Sequence, residues 1–234
     1  MLLPRLREEV LEANLELVRK GLVLFTFGNA SAISRSDSLV VIKPSGIPYD
    51  GMKPEHLVIA NLDGEVVEGS LRPSSDLATH LVLYKAFSEI GGVAHTHSEH
   101  ATAWAQARRP IPCFGTTHAD CFHGPVPVTD QMNAEEILSD YEKNTGKVIA
   151  RAFEHLDYRS IPAVLVAGHG PFSWGKDAPE AAYNAVLLEA VAKTACLTLG
   201  INQAAQPIAR ELHDKHFLRK HGHHAYYGQA GKTK

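Results

Sequence analysis

The chain has 234 residues, of which 44% are hydrophobic and 21% are charged, and this near-average composition excludes extensive disorder. Its formal net charge of −3 disfavours a nucleic-acid-binding protein that works through a broad basic surface. Three cysteines (Cys113, Cys121 and Cys196) form no CxxC pair, which excludes a disulfide scaffold and a cysteine-rich zinc module and suits a reducing compartment.

Membrane association and secretion are also disfavoured by the sequence. No apolar run approaches the roughly 18–20 residues that a bilayer-spanning helix needs. The first ten residues, MLLPRLREEV, are charged within six positions and lack the apolar core of a signal peptide. We therefore expect no membrane partner and no nucleic-acid partner, and we expect a cytoplasmic location.

Helices and short strands are predicted to mix along the whole chain. In chain order, apolar spacing and turn residues predict a helix over 5–20, strands over 22–27, 39–42, 58–62 and 66–67, a helix over 74–87, a strand over 92–97, a helix over 99–107, a strand over 163–167, and helices over 178–199 and 207–227. Asp63-Gly64 between two of the strands is a typical tight-hairpin signal. Hairpins between consecutive strands favour a mixed or antiparallel sheet with helices packed on it.

Histidine and aspartate residues at three places indicate a metal site. His95 and His97 lie at the end of a predicted strand, where residues two apart project to the same face. His169 follows another predicted strand between two glycines, which allow a sharp backbone turn. Asp76 lies in the predicted first turn of a helix and offers a carboxylate. Three imidazoles and one carboxylate suit Zn²⁺ or another divalent first-row metal.

Spacing alone leaves other ligand sets open. An HxH pair is also common in ordinary strands. His80 follows Asp76 by four residues on the same helical face, although its apolar neighbours favour a structural role. His118 and Asp120 alternate on a β-like stretch and would share one face. The C-terminal histidines are expected to be solvated: His221, His223 and His224.

Three loops of small polar residues indicate an anion site. They are Gly28-Asn29, Ser45-Gly46 and Ser74-Ser75. The third opens a predicted helix, where free backbone N–H groups favour an anion, and Lys43 can add a positive charge near the second. Each loop alone is also an ordinary turn or cap. The adjacency of Ser75 and Asp76 places the anion site beside the metal site.

Seven motifs together resemble the class II sugar-phosphate aldolase/epimerase family: GNASA (28–32), KPSG (43–46), RPSSD (72–76), HTHSEHATAWA (95–105), TTHAD (116–120), GHGPFSWG (168–175) and LRKHGHHAYYGQ (218–229). The resemblance extends from about residue 5 to Gln229. It implies an α/β fold of the mixed, three-layer type, with a central, largely antiparallel sheet flanked by helices. It also implies a single domain over residues 1–229 and a short tail over 230–234.

The resemblance assigns roles to residues that spacing leaves open. The implied metal ligands for Zn²⁺ are Asp76, His95, His97 and His169. The implied acid–base pair is Asp120 and Tyr227, with Tyr227 supplied by a neighbouring subunit of a homotetramer whose active sites lie at subunit interfaces. The implied substrate and phosphate contacts are Gly28, Asn29, Lys43, Ser45, Gly46, Ser74 and Ser75. The implied supporting residues are Glu142, His216 and Arg219.

The implied activity is that of a metal-dependent epimerase with a small sugar phosphate as substrate. It would interconvert L-ribulose 5-phosphate and D-xylulose 5-phosphate by breaking and re-forming the bond between C3 and C4. One alternative is a class II aldolase that cleaves a sugar 1-phosphate such as L-fuculose 1-phosphate. The other alternative is a non-catalytic zinc-binding protein, although a purely structural ion needs no phosphate loops beside it.

Overall fold

Helices and strands alternate along residues 1–223 and 225–227, the part of the chain that the computed structural model describes. The helices there are α1 (Pro4–Arg19), α2 (Leu77–Ala86), α3 (Glu99–Ala107), α4 (Thr116–Ala119), α5 (Ala134–Leu138), α6 (Tyr141–Ala152), α7 (Ala178–Ile201) and α8 (Arg210–His221), with a 3₁₀ helix at Pro54–His56. The strands are β1 (Asn29–Ser34), β2 (Leu39–Ile42), β3 (Val58–Asn61), β4 (Val66–Glu68), β5 (Gly92–His95), β6 (Ala163–Leu165) and β7 (Pro171–Gly175). The predicted tail over 230–234 lies outside the described residues.

The strands of the described residues form a seven-stranded sheet in the order β4-β3-β2-β1-β5-β7-β6. Every neighbouring pair runs antiparallel, which confirms the predicted sheet type. β1 lies in the middle and pairs Asn29 with His95 of β5. This register brings a residue of the predicted anion site next to a predicted metal ligand.

Helices cover both faces of the sheet. On β2, Val40 and Ile42 face a core shared with α2, α3 and α6, whereas Val41 between them faces a core shared with α1 and the start of α7. Successive strand residues point to opposite faces, so apolar residues in succession require cover on both sides. The resulting helix–sheet–helix arrangement confirms the predicted three-layer α/β class.

The strand predicted over residues 22–27 is wrong. That segment contains turns, and β1 begins instead at Asn29, within the motif that was assigned to a turn. Leu24, Phe25 and Phe27 are exposed, and Phe25 has a φ of +54°, a left-handed conformation that a regular strand does not contain. Apolar content alone did not distinguish this exposed loop from a strand.

Other predicted bounds shift in ways that affect the site. The helix predicted over 74–87 begins at Leu77, so Ser74, Ser75 and Asp76 form the entry to α2 rather than its first turn. The strand predicted over 92–97 ends at His95. The β-like stretch assigned to His118 and Asp120 is the helical turn α4 and its C-cap. The final helix is confined to α8, and α5, α6 and β7 were not predicted.

The longest helix corrects the expectation about apolar length. α7 has 24 residues and contains an 18-residue stretch with a mean hydropathy of 1.4, so by length and composition alone it is long and apolar enough to cross a bilayer. It packs against β5, β7, α1 and α3. Its Glu189 carboxylate accepts hydrogen bonds from the backbone N–H groups of His100 and Ala101 at the start of α3. These are the contacts of a helix that covers a sheet.

Candidate functional site

A cavity of about 400 Å³ opens where the entry to β1, the turn after β2 and the entry to α2 meet the end of β5. Tyr141 at the start of α6 also lines it, and sequence reasoning missed this residue because α6 was not predicted. The cavity brings together the predicted substrate-binding and metal-binding residues and one predicted supporting residue: Gly28, Asn29, Lys43, Ser45, Gly46, Ser74, Ser75, Asp76, His95, His97, Glu142 and His169.

Three imidazoles meet at one side of this cavity. One ring nitrogen from each of His95, His97 and His169 lies within 4.8 Å of the others. The two Nε2 atoms of His95 and His97 are 3.1 Å apart, a spacing at which both can bind one ion with bonds of about 2.0–2.1 Å. His95 Nδ1 lies 2.9 Å from the carbonyl oxygen of Pro171, which can only accept, so Nδ1 carries the proton and Nε2 is left as a ligand.

The protonation of these imidazoles also fits a metal. Burial, together with the neighbouring His95 and His97, lowers the pKa of His169 to about 4. Burial and the adjacent His95 likewise lower the pKa of His97. Both rings are therefore neutral near pH 7, and a neutral imidazole is the form that binds a metal. The donor chemistry and the convergence of the rings fit a divalent first-row ion.

Asp76 lies in the same cavity and is held by Asn29. The Asn29 amide nitrogen donates to Asp76 Oδ2 at 2.7 Å and to the Ser74 hydroxyl at 3.1 Å. Burial alone would raise the pKa of Asp76, but His95 and His80 offset it and the pKa lies below its ordinary value. Asn29 Oδ1 is buried and has no hydrogen-bond partner among the described residues, so it offers an open acceptor at the cavity wall.

The polar loops that line the cavity offer positive charge and hydroxyl groups. Lys43, at the end of β2, is 1% exposed, and its ammonium donates to the carbonyl of Pro44 at 3.2 Å. The entry to α2 begins with Ser74, whose backbone N–H bonds to the Lys43 carbonyl at 2.9 Å. This bond ties the second and third polar loops together. A buried ammonium beside hydroxyl groups is chemically suited to an anion.

Two glycines allow the loops to approach the backbone of the metal-binding strand. A Cβ added at Gly28 would lie 3.0 Å from the His95 carbonyl oxygen, and one at Gly170 would lie 3.0 Å from the Thr96 carbonyl oxygen. Gly28 also has a φ of +107°, a conformation that favours glycine. The backbone from His95 to His97 is therefore contacted closely by two glycines, Gly28 and Gly170, at positions where a side chain would not fit without a shift.

The predicted acid–base residue Asp120 lies outside this cavity, in a second polar group between α4 and α8. We call Asp120, His216, Arg219 and Lys220 the Asp120 cluster. Arg219 donates to both carboxylate oxygens, at 3.1 and 2.8 Å, and His216 Nδ1 donates at 3.1 Å. The ammonium of Lys220 lies 3.6 Å away. Burial alone would raise the pKa of Asp120, but Arg219 and His216 hold it below its ordinary value, so the carboxylate is ionised at neutral pH.

Tyr227 lies beside the Asp120 cluster, on the segment that follows α8. Its backbone N–H donates to the carbonyl of Arg219 at 3.1 Å. The Arg219 guanidinium lies 4.6 Å and the Lys220 ammonium 4.7 Å from the centre of its ring. The side chain is 58% exposed. Within one chain, therefore, the two predicted proton-transfer residues lie together but not in the cavity with the imidazoles.

The competing ligand sets occupy other environments. His80 is fully buried, and its Nδ1 bonds to the Ser31 hydroxyl at 2.7 Å, as expected for a structural residue. Burial lowers the pKa of His118 to about 4, and its Nε2 donates to the Gly124 carbonyl at 2.8 Å. His221 is exposed, as expected of a solvated residue, and it also stacks on Phe217 and bonds to the Asp120 carbonyl. His224 lies outside the described residues.

Comparison with known proteins gives a family-model match over residues 8–196, described as the class II aldolase and adducin N-terminal domain. The chain is 54% identical over 225 residues to the L-ribulose-5-phosphate 4-epimerase UlaF of Salmonella paratyphi C (strain RKS4594), which covers 96% of this chain and 99% of that protein. The same identity and coverage relate it to the enzyme of that name from Salmonella choleraesuis (strain SC-B67).

Solved structures with the same architecture include an L-fuculose 1-phosphate aldolase. It has a TM-score of 0.77 and 26% identity, and the match covers 91% of this chain and 94% of that chain. YgbL from Klebsiella pneumoniae has a TM-score of 0.72 and 26% identity, with 90% and 97% coverage.

Proposed function

Because this chain belongs to the family of class II aldolases and adducin N-terminal domains, we propose that it is a metal-dependent epimerase of a phosphorylated pentose. The proposed reaction interconverts L-ribulose 5-phosphate and D-xylulose 5-phosphate. The observation that carries the proposal is the placement of three converging imidazoles and a buried lysine ammonium in one cavity. The 54% identity to proteins named L-ribulose-5-phosphate 4-epimerase supports the choice of substrate.

The proposed chemistry follows from the substrate. The hydrogen on C4 is not adjacent to the C2 carbonyl, so its direct removal is unassisted, whereas the bond between C3 and C4 is placed for retro-aldol cleavage. A base takes the proton of the C4 hydroxyl, the bond between C3 and C4 breaks, and its electron pair moves toward the C2 oxygen. The resulting aldehyde turns its other face, and the same bond re-forms with inverted C4.

The proposed metal residues are His95, His97 and His169, with Asp76 as the fourth ligand. A divalent ion held there supplies Lewis acidity for the negative charge that develops on the substrate. Zinc is the ion we propose, because imidazole with carboxylate is a common zinc donor set, and other first-row ions accept the same donors. The phosphate and the sugar are bound by Gly28, Asn29, Lys43, Ser45, Gly46, Ser74 and Ser75.

Asp120 and Tyr227 are the proposed proton-transfer groups. The C4 oxygen points in opposite directions before and after inversion, so one such group is needed on each side of the sugar. Glu142, His216 and Arg219 are proposed to support them. Glu142 lines the cavity, whereas His216 and Arg219 hydrogen-bond to Asp120.

The assembly we propose is a homotetramer in which a neighbouring subunit brings Tyr227 to the cavity. This proposal is supported by the position of Tyr227 and the Asp120 cluster outside the cavity of their own chain. We propose that the enzyme works in the cytoplasm, where reducing conditions suit its three free thiols: Cys113, Cys121 and Cys196.

The test is conversion of L-ribulose 5-phosphate to D-xylulose 5-phosphate by purified, zinc-loaded protein. We expect turnover that a chelator stops and added zinc restores. An enzyme that remains fully active after its metal has been removed would contradict the metal proposal. An inactive zinc-loaded enzyme would contradict the proposed reaction.

A class II aldolase is the second candidate, favoured by the structural match to an L-fuculose 1-phosphate aldolase. Product analysis separates the two candidates. Release of dihydroxyacetone phosphate and lactaldehyde from L-fuculose 1-phosphate, without epimerisation of L-ribulose 5-phosphate, would favour the aldolase.

A further inference from the structure

Tyr49 lies against two of the polar loops of the cavity but is not among the residues that line it. Its side chain is buried, with 6% exposed. The ammonium of Lys43 lies 4.6 Å from the centre of its ring. Its hydroxyl donates to the Gly28 carbonyl at 2.7 Å. One side chain therefore contacts both the loop after β2 and the loop before β1.

The charged form of Lys43 is stabilised by its contact with the Tyr49 ring. Its ammonium has the Pro44 carbonyl as a hydrogen-bond acceptor, and no carboxylate in residues 1–223 or 225–227 forms an ion pair with it. Burial of an ammonium without counter-charge disfavours the charged form, and burial lowers the pKa of Lys43 to about 8. The electron-rich face of the Tyr49 ring opposes this loss, because it attracts the cation.

Gly28 is a backbone position with little freedom to move. It combines a φ of +107° with a close approach to the His95 carbonyl, and β1 begins at the next residue. The hydrogen bond from Tyr49 fixes the direction of the Gly28 carbonyl. Because the peptide unit is planar and trans, that bond also fixes the Asn29 N–H, which points the opposite way.

We propose that Tyr49 is the positioning residue of the anion site: its ring aims Lys43 and its hydroxyl fixes Gly28, so one buried side chain sets the separation of two loops. This role rests on the proposed function, which assigns Lys43 to the phosphate of the substrate. Tyr49 acts through Lys43 and Gly28 and does not contact the ligand itself.

A calorimetric titration of the zinc-loaded enzyme with inorganic phosphate distinguishes the contribution of the Tyr49 ring from that of its hydroxyl. Tyr49→Phe keeps the ring and removes the hydroxyl, whereas Tyr49→Leu removes both. We expect the phosphate dissociation constant to rise about threefold in the first variant and about tenfold in the second. We expect KM for L-ribulose 5-phosphate to rise in the same order, with kcat changed by less than about twofold, because the proton-transfer groups are untouched.

The pH profile of phosphate binding is a readout that a merely structural role would not move. We expect binding to weaken as the pH rises through about 8, where Lys43 loses its proton. Loss of the aromatic face in Tyr49→Leu should shift this midpoint to lower pH, whereas Tyr49→Phe should retain it. The other titratable groups that share the cavity are unchanged in both variants: Asp76, His95, His97, Tyr141, Glu142 and His169.

Tyr84→Phe is the matched control. Tyr84 is also fully buried, but its hydroxyl bonds to Ser31 and lies in the core beneath α2. We expect this variant to lose some stability and to bind phosphate as the wild type does. Lys43→Met gives the phosphate binding and pH profile that remain without the ammonium.

Two results would overturn the role of Tyr49 and leave the proposed function standing. One is wild-type phosphate affinity and pH profile in Tyr49→Leu, and the other is an equal loss of affinity in Tyr84→Phe. Equal phosphate binding by wild type and Lys43→Met would overturn the assignment of Lys43 and the role of Tyr49 with it. Phosphate binding that depends on Tyr49, in an enzyme that does not turn over L-ribulose 5-phosphate, would support the role and contradict the proposed substrate.

Discussion

The cavity and the Asp120 cluster are built in different ways. The cavity takes its side chains from the ends of β1, β2 and β5 and the loop between β6 and β7, all at the central sheet, and from the entries to α2 and α6. The Asp120 cluster lies between the short helix α4 and the C-terminal helix α8, and it continues into the exposed segment that carries Tyr227. One chain therefore assembles the proposed binding groups completely, whereas the proposed proton-transfer groups lie on its periphery.

The two regions also set the charge of their key titratable groups by different means. In the cavity, burial lowers the pKa of His97 and His169, so their rings are neutral, metal-binding donors. In the Asp120 cluster, hydrogen bonds from Arg219 and His216 keep the Asp120 carboxylate ionised. We propose that the first region binds and polarises the substrate and that the second moves protons. The substitutions that follow disrupt one of the two regions, and mixed assemblies test whether the regions of two chains form one site.

The largest effect is expected from His97→Asn in the cavity. We expect the affinity for zinc to fall by more than about 100-fold, since even an outer-shell partner of a metal ligand is worth about 10–100-fold, and we expect turnover to be lost. Metal content after dialysis and the epimerase rate measure the two effects. His155→Asn is the control, because His155 is exposed in the loop after α6. Full zinc occupancy in His97→Asn would remove this residue from the ligand set.

The next largest effect is expected from Tyr227→Phe. Loss of a proton-transfer hydroxyl should lower kcat by about 10²–10⁴-fold and leave zinc content unchanged. The neighbouring Tyr226→Phe is the control, since Tyr226 is similarly exposed and lies 5.3 Å from the Lys215 ammonium. If the two variants lose the same activity, or neither loses any, Tyr227 has no special role in proton transfer.

Mixed assemblies test directly whether two chains share one site. Co-expressed His97→Asn and Tyr227→Phe subunits each carry one intact region. In a ring of subunits with shared sites, about one junction in four joins an intact cavity to an intact Tyr227 in a random equal mixture. We expect about a quarter of the wild-type rate, far above either parent. A mixture no more active than its parents would place both regions of each site within one chain.

Sequence pattern predicted a mixed or antiparallel sheet with helices packed on it, because helices and strands depend on local periodicity, whereas the three-layer class came from the resemblance to a family. The helix predicted over 99–107 coincides with α3, and Asp63-Gly64 lies between β3 and β4 as the hairpin signal indicated. β7 was missed because it begins with Pro171 and ends with Gly175, residue types that are depleted in strands. It is a strand because β5 and β6 pair with it on either side.

The sequence indicated most of the residues that line the cavity, but it did not indicate how they are arranged in space. HxH spacing and the glycines around His169 indicated metal donors, yet the choice among the histidine sets depended on the resemblance to a family. Convergence of His95 with His169 is a tertiary contact that no local pattern encodes. Tyr49 had no signal at all, because its contacts with Lys43 and Gly28 exist only in the folded chain.

The smallest effect is expected from Gly170→Ala, which tests how rigidly the sheet holds the metal-binding loop. The added Cβ would lie 3.0 Å from the Thr96 carbonyl oxygen, so the loop that carries His169 must shift by a few tenths of an ångström. We expect zinc affinity to fall about tenfold and the free energy of unfolding to fall by about 1–2 kcal/mol. Competition with a chromogenic chelator and thermal denaturation of the metal-free protein measure the two changes.

Gly200→Ala is the matched glycine control for that experiment. Gly200 lies in the last turns of α7, and an added Cβ there meets no atom within 4 Å. We expect unchanged zinc affinity and a gain in stability of about 0.5–1 kcal/mol, because alanine favours a helix over glycine. If Gly170→Ala binds zinc as tightly as Gly200→Ala, the loop that carries His169 adapts freely. Only the cavity residues at the ends of β1, β2 and β5 would then be rigidly held, in contrast to the peripheral Asp120 cluster.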